Sequence, residues 1–506
     1  MMELMKNRAD DLAVVLDAER SQEETMEAIV PDACPDIGQI LDVDGQICLT
    51  EKDVQDGGVT LAGHVNAQVT YRPEEGGELR RIEVKLPFRM QVDGGDVGAQ
   101  DDCVVLPALR AAEARALNPR KVLLRVDLCA RVQVFRARQT EYCTGLTAPD
   151  DAGVQQLRAT QSVYRTVSVK EKEFTFSDDV ELKDGPDGPA TILSGCSRIG
   201  RIESKIIGSK LIFKGEIVLT TRYLVGEELC SARNVMPFSQ IMEVADAGEE
   251  DDSDVTAYVI ASDDSQLGEN GRTISLTLQV MAQAVIGRTE ELELLQDAYG
   301  TACRFSVAQD TLTLPRLAER GTRVQSVRET LPTDRPVRNV VDATAAVCSA
   351  GQSREDGQIV LTAQVRVNVL YCDEQGEYRC LRRSVSAVSR LDAPAPCVCR
   401  CVCACPGPVS ATPVADGIEV RFDVEFRCLV TEQVTLPSVV DVREETAPAA
   451  EEGRRPSVVL RMAERGQRLW DVAKAYSTTM ERIMQANQLE DEILPAERML
   501  LIPNAR

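Results

Sequence analysis

Residues 59–71 read VTLAGHVNAQVTY, residues 210–223 read KLIFKGEIVLTTRY and residues 358–371 read QIVLTAQVRVNVLY. Each is a β-type run that ends on a tyrosine, and the tyrosines align. Tyr71 and Tyr223 are 152 residues apart, and Tyr223 and Tyr371 are 148 apart. That period is the size of a domain, far beyond the roughly 20 to 50 residues of a solenoid unit. The chain therefore reads as three tandem copies. After each tyrosine comes a glycine-bearing polar turn: Glu75-Gly76-Gly77, Gly226-Glu227-Glu228 and Gln375-Gly376-Glu377. A further strand then reaches Pro87-Phe88 or Pro237-Phe238, with Ser384-Val385 in the third copy. This is the syntax of a β-hairpin.

The second half of each copy carries another set of paired β runs, at Val122 to Phe135, Thr273 to Ile286 and Gly417 to Val430. Val122, Leu124, Val126 and Leu128 fall on one side and Lys121, Leu123, Arg125 and Asp127 on the other, the alternation of a partly solvated antiparallel sheet. The cysteines Cys397, Cys399, Cys401, Cys403 and Cys405 occupy the slot that Val104 to Leu109 and Val255 to Ile260 hold in the other copies. The fold class expected is mainly β: three tandem antiparallel, sandwich-like repeats over 1–150, 151–297 and 298–440. A flexible Ala/Pro/Glu-rich linker follows over 441–456, its composition too poor in apolar surface to order itself. A small βααβ unit closes the chain over 457–506.

That last unit is the most sharply written. From Val458 to Pro503 a short β run is followed by two amphipathic stretches and a closing β run. Leu469, Val472, Ala473 and Tyr476 repeat at helical spacing, as do Met480, Ile483 and Met484. Thr478 and Glu481 have the spacing of a capping box, which predicts the start of the second helix. The unit resembles a LysM module. Gly466, Leu469 and Trp470 match the family's G-D-T-L-W element, Ala473 its I-A pair, Asn487 its A-N-x-L turn, and Leu501-Ile502-Pro503 its ending. Gln467 and Arg468 stand where the family has Asp and Thr, and Pro495-Ala496-Glu497 where it has P-G-Q. Arg468 also replaces a good N-cap, at a typical cost of about 1 kcal/mol.

The resemblance implies binding of N-acetylglucosamine polymers or of a protein. Because those loops normally hold the sugar, the departures point to a protein. Gly466, Gln467, Arg468 and Leu469, with Gln488, Leu489, Glu490, Asp491 and Glu492, are the positions that flank the family's groove. Ahead of the first copy, Cys34-Pro35-Asp36-Ile37-Gly38-Gln39-Ile40-Leu41 resembles the opening of the SPOCS domain, a family of endospore-forming bacteria. This implies a role in spore envelope assembly, with the tail engaging the stage IV sporulation protein A, the ATPase of the coat basement layer. The alternative partner is peptidoglycan.

Composition bounds the rest. The chain has 506 residues, a formal charge of −24, and 43% hydrophobic but only 4% aromatic content. The tail from Val458 on carries seven basic and seven acidic residues, so the negative excess lies in the repeats. Nucleic acid is an unsuitable partner for such a surface. Charges interrupt the N-terminal stretch every few residues, and no run of about 18 apolar residues occurs. We expect a cytoplasmic protein of the mother cell at the forespore surface, with self-association open.

Seventeen cysteines, an odd number scattered mostly as single residues in β runs, argue against a disulfide framework. The alternating run from Cys397 to Cys405 suggests metal binding or redox sensing. Same-face strand positions lie about 6.6 Å apart, though, so an ordinary strand is the expectation. His64 is the only histidine and sits in a repeat strand. Asp101-Asp102 and the acids from Glu249 to Asp252 fall in turns, where solvation is the ordinary reason for them. No Walker, dinucleotide or H-E-x-x-H motif appears. We expect no enzyme, cofactor or resident metal. Trp470, the sole tryptophan, is expected in the module core in preference to a contact platform.

Overall fold

The computed structural model describes residues 2–149, 152–183, 185, 186, 188–268, 270–393, 396–445 and 457–503. In the first copy six strands form two three-stranded antiparallel sheets. Strands β2 (Ile37–Gln55), β3 (Gly58–Pro73) and β4 (Arg80–Asp93) make a meander in that order. The second sheet has the order β1 (Glu3–Ile29), β6 (Lys121–Thr147), β5 (Asp102–Asn118). The long first strand thus pairs with the last, Glu3 opposite Thr147 and Ile29 opposite Lys121, and closes the copy on itself.

The second copy repeats this with β7 (Val154–Glu181), β8 (Thr191–Ile207), β9 (Lys210–Val225), β10 (Glu228–Glu243), β11 (Asp252–Leu267) and β12 (Thr273–Gly300). The third uses β13 (Phe305–Pro332), β14 (Val337–Glu355), β15 (Gln358–Asp373), β16 (Tyr378–Asp392), β17 (Cys397–Ala404) and β19 (Gly417–Glu444), and adds the short β18 (Ser410–Val414) beside β19. The strands of the second and third copies run on to Gly300 and Glu444. Residues 446–456, most of the segment expected to be a linker, lie outside the described residues.

The three quoted runs are the central strands β3, β9 and β15 of the meanders. The runs beginning at Val122, Thr273 and Gly417 are the central strands of the other sheets. A central strand has neighbours on both edges, so its inward side chains are sealed. Val122, Leu124, Val126 and Leu128 are fully buried and pack in one core with Val59, Leu61, Val65 and Val69 of the facing sheet. Shortening one of them, as in Leu124→Ala, belongs to the class of core truncations costing about 2–5 kcal/mol. Tyr71 is buried, and its hydroxyl donates to Pro35 O at 2.9 Å.

The aligned tyrosine and the Cys34-Pro35-Asp36 phrase are thus two sides of one joint, the crossover between sheets. Arg120, just before β6, donates to Cys34 O at 2.7 Å and Val30 O at 2.9 Å. In the second copy Arg272, just before β12, donates to Pro186 O at 3.0 Å and lies 5.9 Å over the Tyr223 ring. The third copy has Asp416 at that place.

The turn acids have a role that solvation does not describe. Asp101 takes Arg136 Nε at 3.0 Å and Gly98 N at 2.8 Å. Asp251 takes Arg288 Nε at 2.9 Å and Gly248 N at 2.7 Å. The Arg136 hydrogen bond holds the Asp101 carboxyl below the ordinary range. For Asp251, burial works upward but the bonds from Arg288 and Gly248 outweigh it and hold its carboxyl low as well. These are repeated turn locks.

The copies meet through buried polar contacts as well as apolar ones. Arg222 of β9, 5% exposed, pairs with Asp44 of β2 at 2.7 Å and Asp342 of β14 at 2.9 Å, and also with Asp42. Arg382 of β16 reaches Asp42 from the third copy. The buried amide of Gln283 in β12 accepts from Val105 N at 2.9 Å and donates to Val105 O at 2.8 Å, clasping the second copy to the first. The equivalent strands β5, β11 and β17 converge around a cavity of 510 Å³ lined by Leu106, Thr256, Cys403 and others.

Candidate partner-binding site in the C-terminal unit

Strands β20 (Val458–Ala463) and β21 (Arg498–Pro503) pair antiparallel, with helices α1 (Leu469–Ala475) and α2 (Met480–Asn487) between them. Leu469, Val472, Ala473, Ile483, Leu494, Leu500 and Ile502 form its core, each at most 1% exposed. Both helices therefore present the apolar stripe read from their spacing. Arg468 occupies the N-cap of α1 with no side-chain cap bond, the loss expected there; it pairs instead with Asp471 at 3.1 Å.

The start of α2 needs a correction of one residue. Thr479, not Thr478, is the N-cap, and its hydroxyl accepts from Arg482 N at 3.3 Å. Thr478 is buried and donates to Pro503 O at 2.6 Å, which ties the helix start to the end of β21. Asn487 does the same at the other end. Its Nδ2 donates to Ile483 O and Leu501 O, and its Oδ1 accepts from Leu501 N, all at 2.7 Å.

The structure brings most of the expected site loops together. Leu469 N donates to Glu492 O at 2.8 Å, Gly466 N to Leu494 O at 2.8 Å, and Leu494 N to Gln467 O at 3.0 Å. Gly466, at φ +81°, makes the turn that lets the first loop approach the second. Gly466, Arg468, Gln488, Glu490, Asp491 and Glu492 are exposed, Gln467 and Leu489 half-buried. Leu469 points into the core. Gln488 takes the left-handed conformation at the C-cap of α2, so the loop leaves the helix sharply.

Two features escaped the sequence reading. The first is the outer face of the β20–β21 pair. Val458, Leu460 and Met462 on one strand and Met499 and Leu501 on the other are 37–66% exposed, with Leu460 opposite Leu501 and Met462 opposite Met499. The period-2 signal was present in VVLRMA, but with two faces to fill, period alone does not say that the outward one is apolar. The second is that α1 lies against the second copy. Trp470 is 4% exposed, its ring meets Tyr299 of β12 edge-on at 4.8 Å, and its Nε1 donates to Asp297 at 2.8 Å.

Lys474 Nζ pairs with the same carboxylate at 2.6 Å, and the Tyr299 hydroxyl donates to Thr478 O at 2.7 Å. Burial, with the Glu481 and Asp297 charges, pushes that phenol above its ordinary range. Trp470 is thus at once a core residue and the contact with the body of the protein. The tail does not stand apart from the repeats.

Elsewhere, His64 is a half-buried residue of β3 whose imidazole burial and Lys85 hold below its ordinary range. The cysteine run forms β17, paired to β19 in the slot expected, and Cys399 is buried against the third core. Cys428 of β19 lies directly opposite Cys401, a neighbour the spacing did not reveal. Among the described residues no group of three or more His, Cys, Asp or Glu is placed to hold a metal ion. No helix among them is long and apolar enough to cross a membrane.

Residues 36–116 match the family described as SipL, SPOCS domain, and residues 464–503 match the LysM domain. The chain thus carries a SPOCS domain in its first copy and a LysM domain at its end, and in this pairing it is similar to SipL-type sporulation proteins. Neither is a catalytic domain family. No curated protein matches the chain.

Proposed function

We propose that this protein is a non-enzymatic adaptor of endospore coat assembly, whose LysM unit docks onto the stage IV sporulation protein A at the forespore surface, in the mother cell. The observation that carries this reading is the surface left to the LysM unit. Its α1 face is taken by Tyr299 and Asp297, and its one tryptophan is turned inward onto them. The surface left outside includes the loop pair around Arg468 and Glu492, the polar outer face of α2, and one contiguous apolar sheet face of Val458, Leu460, Met462, Met499 and Leu501. An apolar face of that kind suits a protein better than a hydrophilic glycan, and exposed apolar patches on soluble domains mark interaction sites. The repeats supply further β-sheet surface, and a chain holding two partners at once raises the effective concentration of each for the other.

The test is co-purification from sporulating cells with the full chain carrying Leu460→Ser and Leu501→Ser. These exposed substitutions leave the core untouched. Retention of the basement-layer ATPase is expected to fall at least tenfold. Unchanged retention, together with strong binding of the same protein to cell-wall sacculi, favours the peptidoglycan reading that the LysM family equally allows.

A further inference from the structure

Six cysteines of the third copy lie on two neighbouring strands or at their ends: five from Cys397 to Cys405 in and just after β17, and Cys428 on β19. Only one pair faces across the ladder. Cys401 is the register partner of Cys428, whereas Cys399 faces Val430 and Cys403 faces Phe426. The Cys401 and Cys428 sulfurs are 3.4 Å apart, and Cys401 and Cys403 are 4.0 Å apart. Directly opposed residues of an antiparallel pair have Cα atoms about 4.5 to 5.5 Å apart, inside the range of about 4.4 to 6.8 Å that a disulfide spans. Same-face neighbours along one strand sit about 6.6 Å apart with parallel Cβ directions, which suits a bridge less well.

We propose that Cys401 and Cys428 are a redox pair that closes into a reversible disulfide when the protein meets a peroxide. This goes beyond the adaptor reading and does not depend on it. Cys428 lies in the core-facing row of β19 with Phe426 and Val430, while Cys401 beside it on the edge strand β17 is half-buried, so a peroxide approaches the pair from the edge strand; the 510 Å³ cavity between the copies borders both strands at Cys403 and Cys428. Hydrogen bonds shared with Cys399 and Cys401 pull the Cys428 thiol below the ordinary thiol range against the opposing effect of burial, with Arg323 adding to the pull. A thiolate in such surroundings is the nucleophile in thiol oxidation.

The reaction balances as two thiols and one peroxide giving one disulfide and two waters. The Cys428 thiolate attacks one peroxide oxygen; the S–O bond forms, the O–O bond breaks, and the departing hydroxide leaves as water with the proton Cys428 has lost. The Cys401 sulfur then attacks the sulfenic sulfur; the S–S bond forms, the S–O bond breaks, and the second water leaves with the Cys401 proton. The bridge ties the edge strand β17 to the central strand β19 across 27 residues of chain.

The experiment uses the full chain, reduced, freed of reductant, treated with an equimolar amount of hydrogen peroxide, alkylated and digested with trypsin. Cleavage after Arg400, Arg421, Arg427 and Arg443 places Cys401 in the peptide 401–421 and Cys428 in the peptide 428–443. The expected product is those two peptides joined, with fragmentation locating the link at Cys401 and dithiothreitol restoring both. A link at Cys403 or Cys405, a link between chains, or Cys401 and Cys428 recovered alkylated after other cysteines have oxidised overturns the proposal. In the Cys401→Ser protein, dimedone is expected to trap a sulfenic acid on Cys428. A trapped acid on another cysteine instead overturns the order of attack, and the map of the unsubstituted protein stands whether or not this variant folds.

Discussion

Arg222 shows what a single side chain does in this protein. It precedes the aligned tyrosine of the second copy, and in the sequence it is one more arginine in a β run. In the structure it is sealed among Asp42, Asp44 and Asp342, which lie 120 to 180 residues away. Burial alone opposes its charge, but the three carboxylates outweigh burial and raise its pKa well above the ordinary value. Asp42 is held low because Arg222 and Arg382 overcome its burial; Asp44, fully desolvated and close to Asp42, is held high. Removing one partner of such a cluster leaves buried charge unpaired, at a cost of about 3–5 kcal/mol. Arg222→Ala is therefore expected to lower the urea midpoint by that equivalent, and a change under about 1 kcal/mol would show that water replaces the guanidinium.

Elements are where the sequence is most legible. Central strands β3, β9 and β15 announce themselves through the tyrosine and the following hairpin, because strand and turn chemistry depend on residues a few positions apart. The cysteine strand β17 is read correctly by position in the repeat, since thiols pack as small apolar groups there. The capping box at Thr478 and Glu481 is off by one residue, because two adjacent threonines compete and burial beneath β21 decides between them. The empty N-cap of α1 leads to a prediction at this scale. Arg468→Ser supplies the missing acceptor and gives up only an exposed pair with Asp471, so the LysM unit is expected to gain about 1 kcal/mol. Slower amide exchange in the first turn of α1 is the measurement.

For the molecule as a whole, the arrangement of copies and tail matters more than any strand. The three sandwiches meet along equivalent strands, and the LysM unit is set on the second copy by Asp297, which serves Trp470 and Lys474 together. This docking decides which face of the unit a partner meets. Because Trp470 is the only tryptophan, its fluorescence reports the contact directly. Asp297→Ala is expected to shift the emission to the red as the indole gains water, with the repeats still folded by circular dichroism. An unshifted spectrum would mean that the Tyr299 contact alone holds the unit in place.

Three copies, their strand pairs, the LysM unit and its uncapped helix are legible in the residue order, because all of them follow from periodicity and turn residues within short stretches. Tertiary structure alone decided the Arg222 cluster, the Cys401–Cys428 facing, the apolar outer sheet and the seat of Trp470. Each of these depends on which side chains meet across chain separations of tens to hundreds of residues, or on which of two strand faces is left uncovered. Neither a charge nor a period carries that information until the sheets are stacked.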